Sequence, residues 1–284
     1  MGEENGAILE PLEEDDSCTL DLNLDQEYIL ELPEGLGYSA ARLHGVGARP
    51  NQEDVFAVSE CENGLAEKRG VLFLLADGMG GMMDGEKASA AGVASCLDFF
   101  DNVSEKGFYP GWMRDMAFQA NQDTIQALGD TAGKGGSTLV AVHIQGNEAN
   151  WITVGDSHLY LFRDKQLVQL NKDHNLATKL ARMVSEGLMS REDAESHPQR
   201  RALTSYLGIE DEMEIDGNDS PLQLSPEDVM FLSSDGVFGT LSDEEMANVL
   251  DMPVGRAAMS LALQIEGRQK PRQDNYTGIL IHLE

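Results

Sequence analysis

Positive charge is what this chain lacks most. Only 20 Lys and Arg stand against 50 Asp and Glu, a net charge of −30 over 284 residues. A surface of that sign repels phosphate backbones and anionic lipid, so neither nucleic acid nor a membrane surface is an expected partner. Residues 1–36 hold twelve of the acids and no Lys or Arg, which leaves the remainder at −18. They read as a solvated acidic arm, with Tyr28-Ile29-Leu30 its one stretch expected to pack. Cysteine is scarce too. Cys18, Cys61 and Cys96 are odd in number and widely spaced, which suits reduced thiols better than a disulfide framework or a zinc site. No apolar run reaches the roughly 20 residues that span a bilayer. Met1-Gly2-Glu3-Glu4 lacks the basic start of a signal peptide. The expectation is a cytoplasmic protein.

Internal repeats and proline-rich linkers are missing as well, and 41% hydrophobic residues suffice for one large core. The reading is therefore a single domain over residues 37–284 behind the arm. Strand patterns fall at 38–46, 54–60, 70–76, 137–145, 149–155, 158–163, 166–170, 228–234 and 275–283. Several are separated by turn-length links such as Gly146-Asn147-Glu148-Ala149, which argues for antiparallel hairpins. Helical patterns fall at 85–104, 111–129, 174–187, 190–196, 242–251 and 254–267. Ser190 with Asp193, and Ser242 with Glu245, have capping-box spacing. This order predicts an α+β fold: a four-layer αββα sandwich, two antiparallel sheets face to face with helices outside.

The most informative residue is Asp77. It ends the apolar run Val71–Ala76 and opens the glycine-rich stretch Asp77-Gly78-Met79-Gly80-Gly81-Met82-Met83-Asp84-Gly85-Glu86. The pattern returns at Asp235-Gly236 after Met230–Ser234, at Asp274-Asn275 before Thr277–Ile281, and at Glu53-Asp54 before Val55–Val58. Asp at a strand end is often only a turn former. Acids at several strand ends can also converge as an oxygen-only site for a hard cation such as Mg²⁺ or Mn²⁺. The run Gly129-Asp130-Thr131-Ala132-Gly133-Lys134-Gly135 is not a P-loop: its glycine spacing is one short, and Gly135 stands where Ser or Thr should.

Read in order, the motifs resemble the metal-dependent serine/threonine protein phosphatases, the PPM or type 2C family, in their bacterial form. The matching segments begin with Arg49-Pro50-Asn51-Gln52-Glu53-Asp54, Asp77-Gly78-Met79-Gly80-Gly81 and Gly85-Glu86-Lys87-Ala88-Ser89. Gly136-Ser137-Thr138, Gly155-Asp156-Ser157, His197–Thr204, Leu207-Gly208, Ser234-Asp235-Gly236 and Asp274-Asn275 follow. Together they cover about Gly37 to the C-terminus.

The resemblance implies hydrolysis of phosphoserine and phosphothreonine in proteins, with at least two Mn²⁺ or Mg²⁺ ions per site. Two such ions about 3.5–4 Å apart can activate a water for in-line attack on a phosphomonoester. Asp77 is expected to bridge the ions, with Asp235 and Asp274 on one. The Gly78 carbonyl is assigned to the other, with Glu53 or Asp54 reaching it directly or through water. Arg49 matches the family's phosphate-binding arginine, whose planar fork can hold two phosphoryl oxygens. Residues 174–208 match the flap beside the cleft. Expected partners are phosphorylated proteins, including targets of a Ser/Thr kinase, for a chain acting as a monomer.

Three positions depart from the family pattern. Met79 stands where animal members carry a histidine, Gly133 where bacterial members often place a third-metal aspartate, and His158 where arginine is usual. Asp130 is a possible substitute near Gly133. These departures keep two rivals open: a non-catalytic binding module and a hydrolase of small phosphoesters on the same fold.

Overall fold

The computed structural model describes residues 26–61, 64–79 and 84–284. The first strands are β1 (Ile29–Leu30), β2 (Tyr38–Gly45), β3 (Asp54–Val58), β4 (Val71–Met79), β5 (Gly136–Ser137) and β6 (Leu139–Gln145). After them come β7 (Glu148–Val154), β8 (His158–Arg163), β9 (Gln166–Gln169), β10 (Asp216–Gly217), β11 (Leu222–Gln223), β12 (Val229–Ser233) and β13 (Tyr276–Leu283). The helices are α1 (Leu65–Arg69), α2 (Asp84–Lys106), α3 (Trp112–Leu128) and α4 (Leu176–Ser185). α5 (Arg191–Glu195), α6 (Asp235–Phe238), α7 (Asp243–Leu250) and α8 (Val254–Gly267) complete the set.

One sheet runs β1-β2-β13-β12-β8-β9, and the other β10-β7-β6-β4-β3 with β5 and β11 on β4 and β7. Their ladders are antiparallel. The two sheets face each other through Phe73, Leu75, Val140, Val142, Met230, Leu232, Ile279 and Ile281. The opposite faces of the same strands carry the outer layers. Leu72, Leu74 and Ala76 meet α2 and α3, while Phe231 and Leu280 meet α7 and α8. β4 is thus buried on both faces, which explains a continuous apolar run in place of alternation. Each such fully buried Leu or Phe contributes roughly 1.5–3 kcal/mol. The expected αββα sandwich is the observed fold.

Local signals behave as their chemistry dictates. Gly146 (φ 61) turns β6 into β7. Ser242 forms a full capping box with Glu245, and Ser190 Oγ caps α5 through the Asp193 N–H. α4 is capped by Asn175, whose Oδ1 accepts from Thr178 N. His174 accepts the Gly155 N–H at Nδ1. The packing foreseen at Tyr28-Ile29-Leu30 takes the form of an edge strand, Ile29↔Ala41 and Leu30↔Ala40, and continues through Leu32 and Leu36. The rest of the acidic arm, residues 1–25, lies outside the described residues, as do residues 62–63 and the Gly80–Met83 part of the glycine-rich stretch. Among the described residues no helix is long and apolar enough to cross a membrane.

Antiparallel order places the chemistry. β2 ends, β3 starts, β4 ends, β7 ends, β8 starts, β12 ends and β13 starts at the same end of the sandwich, as the pairs Asp54↔Asp77, Gly45↔Tyr276 and Ser233↔His158 show. Arg49, Glu53, Asp54, Asp77, Asp156, Asp235 and Asp274 all sit there.

Candidate active site

Asp77 is held by its backbone. Its N–H donates to Thr138 Oγ1 at 3.0 Å, and its carbonyl accepts from Thr138 N at 2.9 Å and Ser137 Oγ at 3.0 Å. Thr138 in turn shares a 2.7 Å hydroxyl contact with Ser157. Every one of these bonds leaves the Asp77 carboxylate free to face the cleft. Gly136-Ser137-Thr138, a matching segment in the sequence, gains a role that sequence reasoning missed: its hydroxyls position the central acid. The alternation of polar Ser-Thr with the apolar Leu139–Val142 was the available signal.

Asp54 is buried and lies directly across the ladder from Asp77. Its Oδ2 accepts from Ser234 Oγ at 2.9 Å, and Ser234 Oγ also receives the Thr277 N–H. This hydroxyl ties the start of β3 in one sheet to β12 and β13 in the other. Asn275 performs a similar service. Its Oδ1 takes the Glu53 N–H at 2.8 Å, and its Nδ2 donates to the carbonyls of Val46 and Asn51. Asn275 therefore staples the whole 46–53 segment to the cleft, a stronger role than a turn former.

Gly78 is needed for close approach. A Cβ there would collide with the Gly85 carbonyl and lie 2.6 Å from the Glu53 carbonyl. Gly78 N donates to that same Glu53 carbonyl at 3.1 Å, and Ser89 Oγ reaches it at 2.6 Å. The glycine expected for an inward-turned carbonyl is thus also demanded by the meeting of β4, α2 and residue 53. Gly236 serves likewise below Asp235, where a Cβ would strike the Asn275 carbonyl.

The acids feel one another. Burial first, then the charges of Asp54, Asp235, Asp156 and Asp274, hold the Asp77 carboxyl well above the ordinary carboxylate range. Asp54 is pushed up to about 6 by burial, against the hydroxyls of Thr277 and Ser234 that stabilise its charged form. Asp156 also rises to about 6, through burial and the charges of Asp235 and Asp173. Asp235 opens onto the cleft yet is raised by partial burial and then by Asp274. Glu53 is raised by burial, with Arg49 pulling the other way. Asp156 is part of this acidic field, because the β7–β8 turn lands beside Asp235.

One guanidinium answers that field directly. Arg49 Nη2 donates to Asp274 Oδ2 at 2.5 Å, and both side chains remain partly open to water. Arg201, in the segment 174–208, acts on Asp235 more weakly. That segment is anchored by the Ser137–Leu207 and Asn175–Leu203 bridges. His158 is structural. Its ring stacks on Phe238 at 3.6 Å and 9°, its Nδ1 meets Tyr160 Oη at 2.6 Å, and its Nε2 lies 3.1 Å from Asp173.

The donor set fits hard divalent cations: carboxylates and a backbone carbonyl, with no thiolate or imidazole among the cleft acids. Among the described residues no three His, Cys, Asp or Glu side chains converge at ready-made ligand spacing. Like charges spread, and Asp274 is turned toward Arg49. A cation would supply the missing attraction and reverse the cause of the raised carboxyls.

No protein-family model matches the chain. It is 30% identical over 218 residues to the protein phosphatase PhpP of Streptococcus pneumoniae serotype 2, covering 75% of this chain and 85% of that one. The fold superposes on the S. agalactiae serine/threonine phosphatase with a TM-score of 0.72 at 28% identity, over 87% of this chain and 100% of that one. It also superposes on the catalytic domain of the serine/threonine protein phosphatase PstP in complex with two manganese ions. There the TM-score is 0.65 at 29% identity, over 86% of this chain and 97% of that one. With the sandwich, the ordered motifs and these likenesses in agreement, the chain belongs to the PPM, or type 2C, family of bacterial serine/threonine phosphatases.

Proposed function

We propose that this serine/threonine phosphatase works through the acids of its cleft, which hold at least two Mn²⁺ or Mg²⁺ ions. The residues that would hold the ions are Asp77, Asp235 and Asp274 together with Glu53, Asp54 and the Gly78 carbonyl, whose oxygens suit a hard cation. Bound divalent ions supply an activated water and neutralise phosphoryl charge. Asp54 stands deeper than Glu53, clamped by Ser234, so its carboxylate is fixed while Glu53 keeps freedom to reach through water. Arg49 leaves Asp274 and forks two phosphoryl oxygens, holding the phosphoryl group in line. The domain that does this begins at the edge strand β1, and the substrates are phosphorylated proteins, including those of a Ser/Thr kinase. A monomer in the cytoplasm completes the reading.

The observation that carries it is Asp77: a carboxyl raised by burial and by four neighbouring carboxylates, while its backbone hydrogen bonds leave its carboxylate oxygens unused. Such unmet repulsion is costly unless a cation enters. The test compares turnover of a phosphothreonine peptide and of para-nitrophenyl phosphate, each with Mn²⁺ and after chelation. Peptide turnover that is lost with chelator and restored by Mn²⁺ is expected. No turnover of either substrate would leave a binding module, and turnover of the small ester alone would leave a small-phosphoester hydrolase.

A further inference from the structure

Six of the chain's twenty bases fall between Lys172 and Arg201, beside only five acids, so this stretch carries +1 in a chain of −30. Two of them are answered by nearby acids: Lys179 lies 3.1 Å from Glu214, and Arg182 lies 3.8 Å from Glu186. Arg200 meets no carboxylate and makes only a 3.4 Å bond to the Glu195 carbonyl. Arg201 is exposed and has neither hydrogen bond nor ion pair among the described residues.

The backbone decides where Arg201 stands. His174 is bonded to Gly155 twice: its N–H donates to the Gly155 carbonyl at 2.9 Å, and its Nδ1 accepts the Gly155 N–H at 3.1 Å. Residues 200–204 run antiparallel beside 174–177, through the Asn175–Leu203 bridge. Thr204 N donates to the His174 carbonyl, Leu176 N to that of Ala202, and Ala177 N to that of Arg200. Arg201 is thereby hung from the Gly155-Asp156 turn that leads into β8. Neighbouring strands run β2-β13-β12-β8. Arg49 follows β2 and pairs with Asp274 just before β13, Asp235 follows β12, and the turn before β8 comes next. Arg49 and Arg201 therefore flank Asp235 from two sides, and the charge of each lowers the Asp235 pKa. Arg49 is held by Asp274, whereas Arg201 is unclaimed.

We propose that Arg201 is a specificity-determining residue, which binds an acidic side chain of the substrate two or three positions from the phosphothreonine. The proposal rests on the reading of the cleft as the phosphatase site, with the phosphoryl group at Arg49. Strands lie about 4.8 Å apart, so the row from β13 to β8 spans about 10 Å, and an extended peptide rising about 3.3 Å per residue covers it in about three residues. A substrate carboxylate on that row passes Asp235 and Asp156, which repel it, and meets its one unclaimed counter-charge at Arg201. The pair is exposed, so it is weak and sensitive to salt.

The test uses the full chain and three phosphothreonine peptides, with Glu, Gln or Lys at the second and third positions on both sides of the phosphothreonine. With Mn²⁺ at low salt, the natural chain is expected to show a KM about threefold lower for the Glu peptide than for the Gln peptide, with similar kcat. Arg201→Ala should abolish that preference and Arg201→Lys should keep most of it. Arg201→Glu should turn it toward the Lys peptide, an exchange of charge that a merely structural loss does not produce. Arg191→Glu, an equal change of charge on α5, should leave the preference where it was. Anisotropy of the same peptides, labelled, on the Asp77→Asn chain with and without Arg201→Ala reads binding apart from turnover, and should give the same order. Turnover with equal preference in the natural chain and Arg201→Ala would overturn the assignment. So would a shift as large in Arg191→Glu as in Arg201→Glu. A Glu preference in binding that Arg201→Ala removes, with no turnover of any peptide by the natural chain, would count against the phosphatase reading and leave Arg201 assigned.

Discussion

The two ends of β4 bury charge in opposite ways. At its start, Arg69 is only 9% exposed, yet Nη1 donates to Asp101 at 2.7 Å and Ser104 at 3.1 Å, and Nη2 donates to the Glu60 carbonyl. Its guanidinium lies over Phe100 at 5.1 Å. Beside it His143 donates Nε2–H to the Arg69 carbonyl at 2.7 Å, ringed by Phe100, Phe108 and Trp112. Burial lowers the His143 pKa, so this imidazole is neutral. At the other end, Asp54 and Asp77 face each other across the ladder with further acids around them and one arginine in reply. Buried charge that finds its counter-charge and hydrogen bonds serves packing. Buried charge assembled against its own sign is destabilising until a ligand arrives, and that is the mark of a site.

The sharpest way to break this contrast is Asp77→Asn. Turnover with Mn²⁺ should fall by about 10³-fold or more, because the amide removes charge from the centre of the proposed ligand set. The metal-free protein should nevertheless melt higher, since repulsion is relieved. Mn²⁺-dependent turnover near that of the natural chain would sink the assignment, and a lower melting point would show that the acids are not in conflict. Asp235→Asn should behave in the same way.

The matched change at the other end is Arg69→Ala. It should cost about 2–4 kcal/mol of stability by denaturant unfolding, through the stranded Glu60 carbonyl and the lost contact with Phe100. Per folded molecule, kcat should stay the same. A loss of kcat without a loss of stability would mean that the two ends communicate.

Arg49 sits on the boundary of the contrast. Arg49→Ala should lower kcat/KM about 10–100-fold, mostly through KM, and Arg49→Lys should restore only part because an ammonium lacks the fork. The pairing with Asp274 adds a second expectation: freed from its guanidinium, Asp274 should bind Mn²⁺ somewhat more tightly in the alanine variant. Weaker Mn²⁺ binding with unchanged KM would make Arg49 a support for the Glu53-Asp54 segment instead.

The smallest effect concerns pH. Asp54 and Asp156 are raised to about 6, while unfolded carboxyls titrate near 4. Their penalty is therefore fully present above pH 6 and fades as pH falls toward 4, so the native state gains protons before the unfolded one does. The metal-free chain should melt about 3 °C higher at pH 5.5 than at pH 7.5, and Mn²⁺ at pH 7.5 should close the gap. A melting point that falls steadily over that interval would contradict the raised carboxyls.

Much of this was legible in the residues. Period-two and period-3.6 patterns located the long strands and helices, because burial of one face or both leaves a mark within a few residues. Shorter elements left no such mark. α1 and α6 span five and four residues, and β1, β10 and β11 two each, too few for a period to show. Their existence depends on partners far away, as Ile29 does on Ala41 and Asp216 on Thr153.

The site divides along the same line. Residue type and order alone determined that Asp77, Asp235, Asp274 and the Glu53-Asp54 pair are acids at strand ends, and motif order alone pointed to a metal-dependent phosphatase. Only the tertiary structure decided what acts on them: Thr138 on the Asp77 backbone, Ser234 on Asp54 across the two sheets, Asn275 on residues 46–53, Asp156 in the acidic field, and Arg49 against Asp274. Those contacts join residues 61 to 229 positions apart, up to the reach from Asn275 to Val46. A hydrogen bond depends on a distance of about 3 Å and on direction, and neither is written in a sequence until the sheets have met.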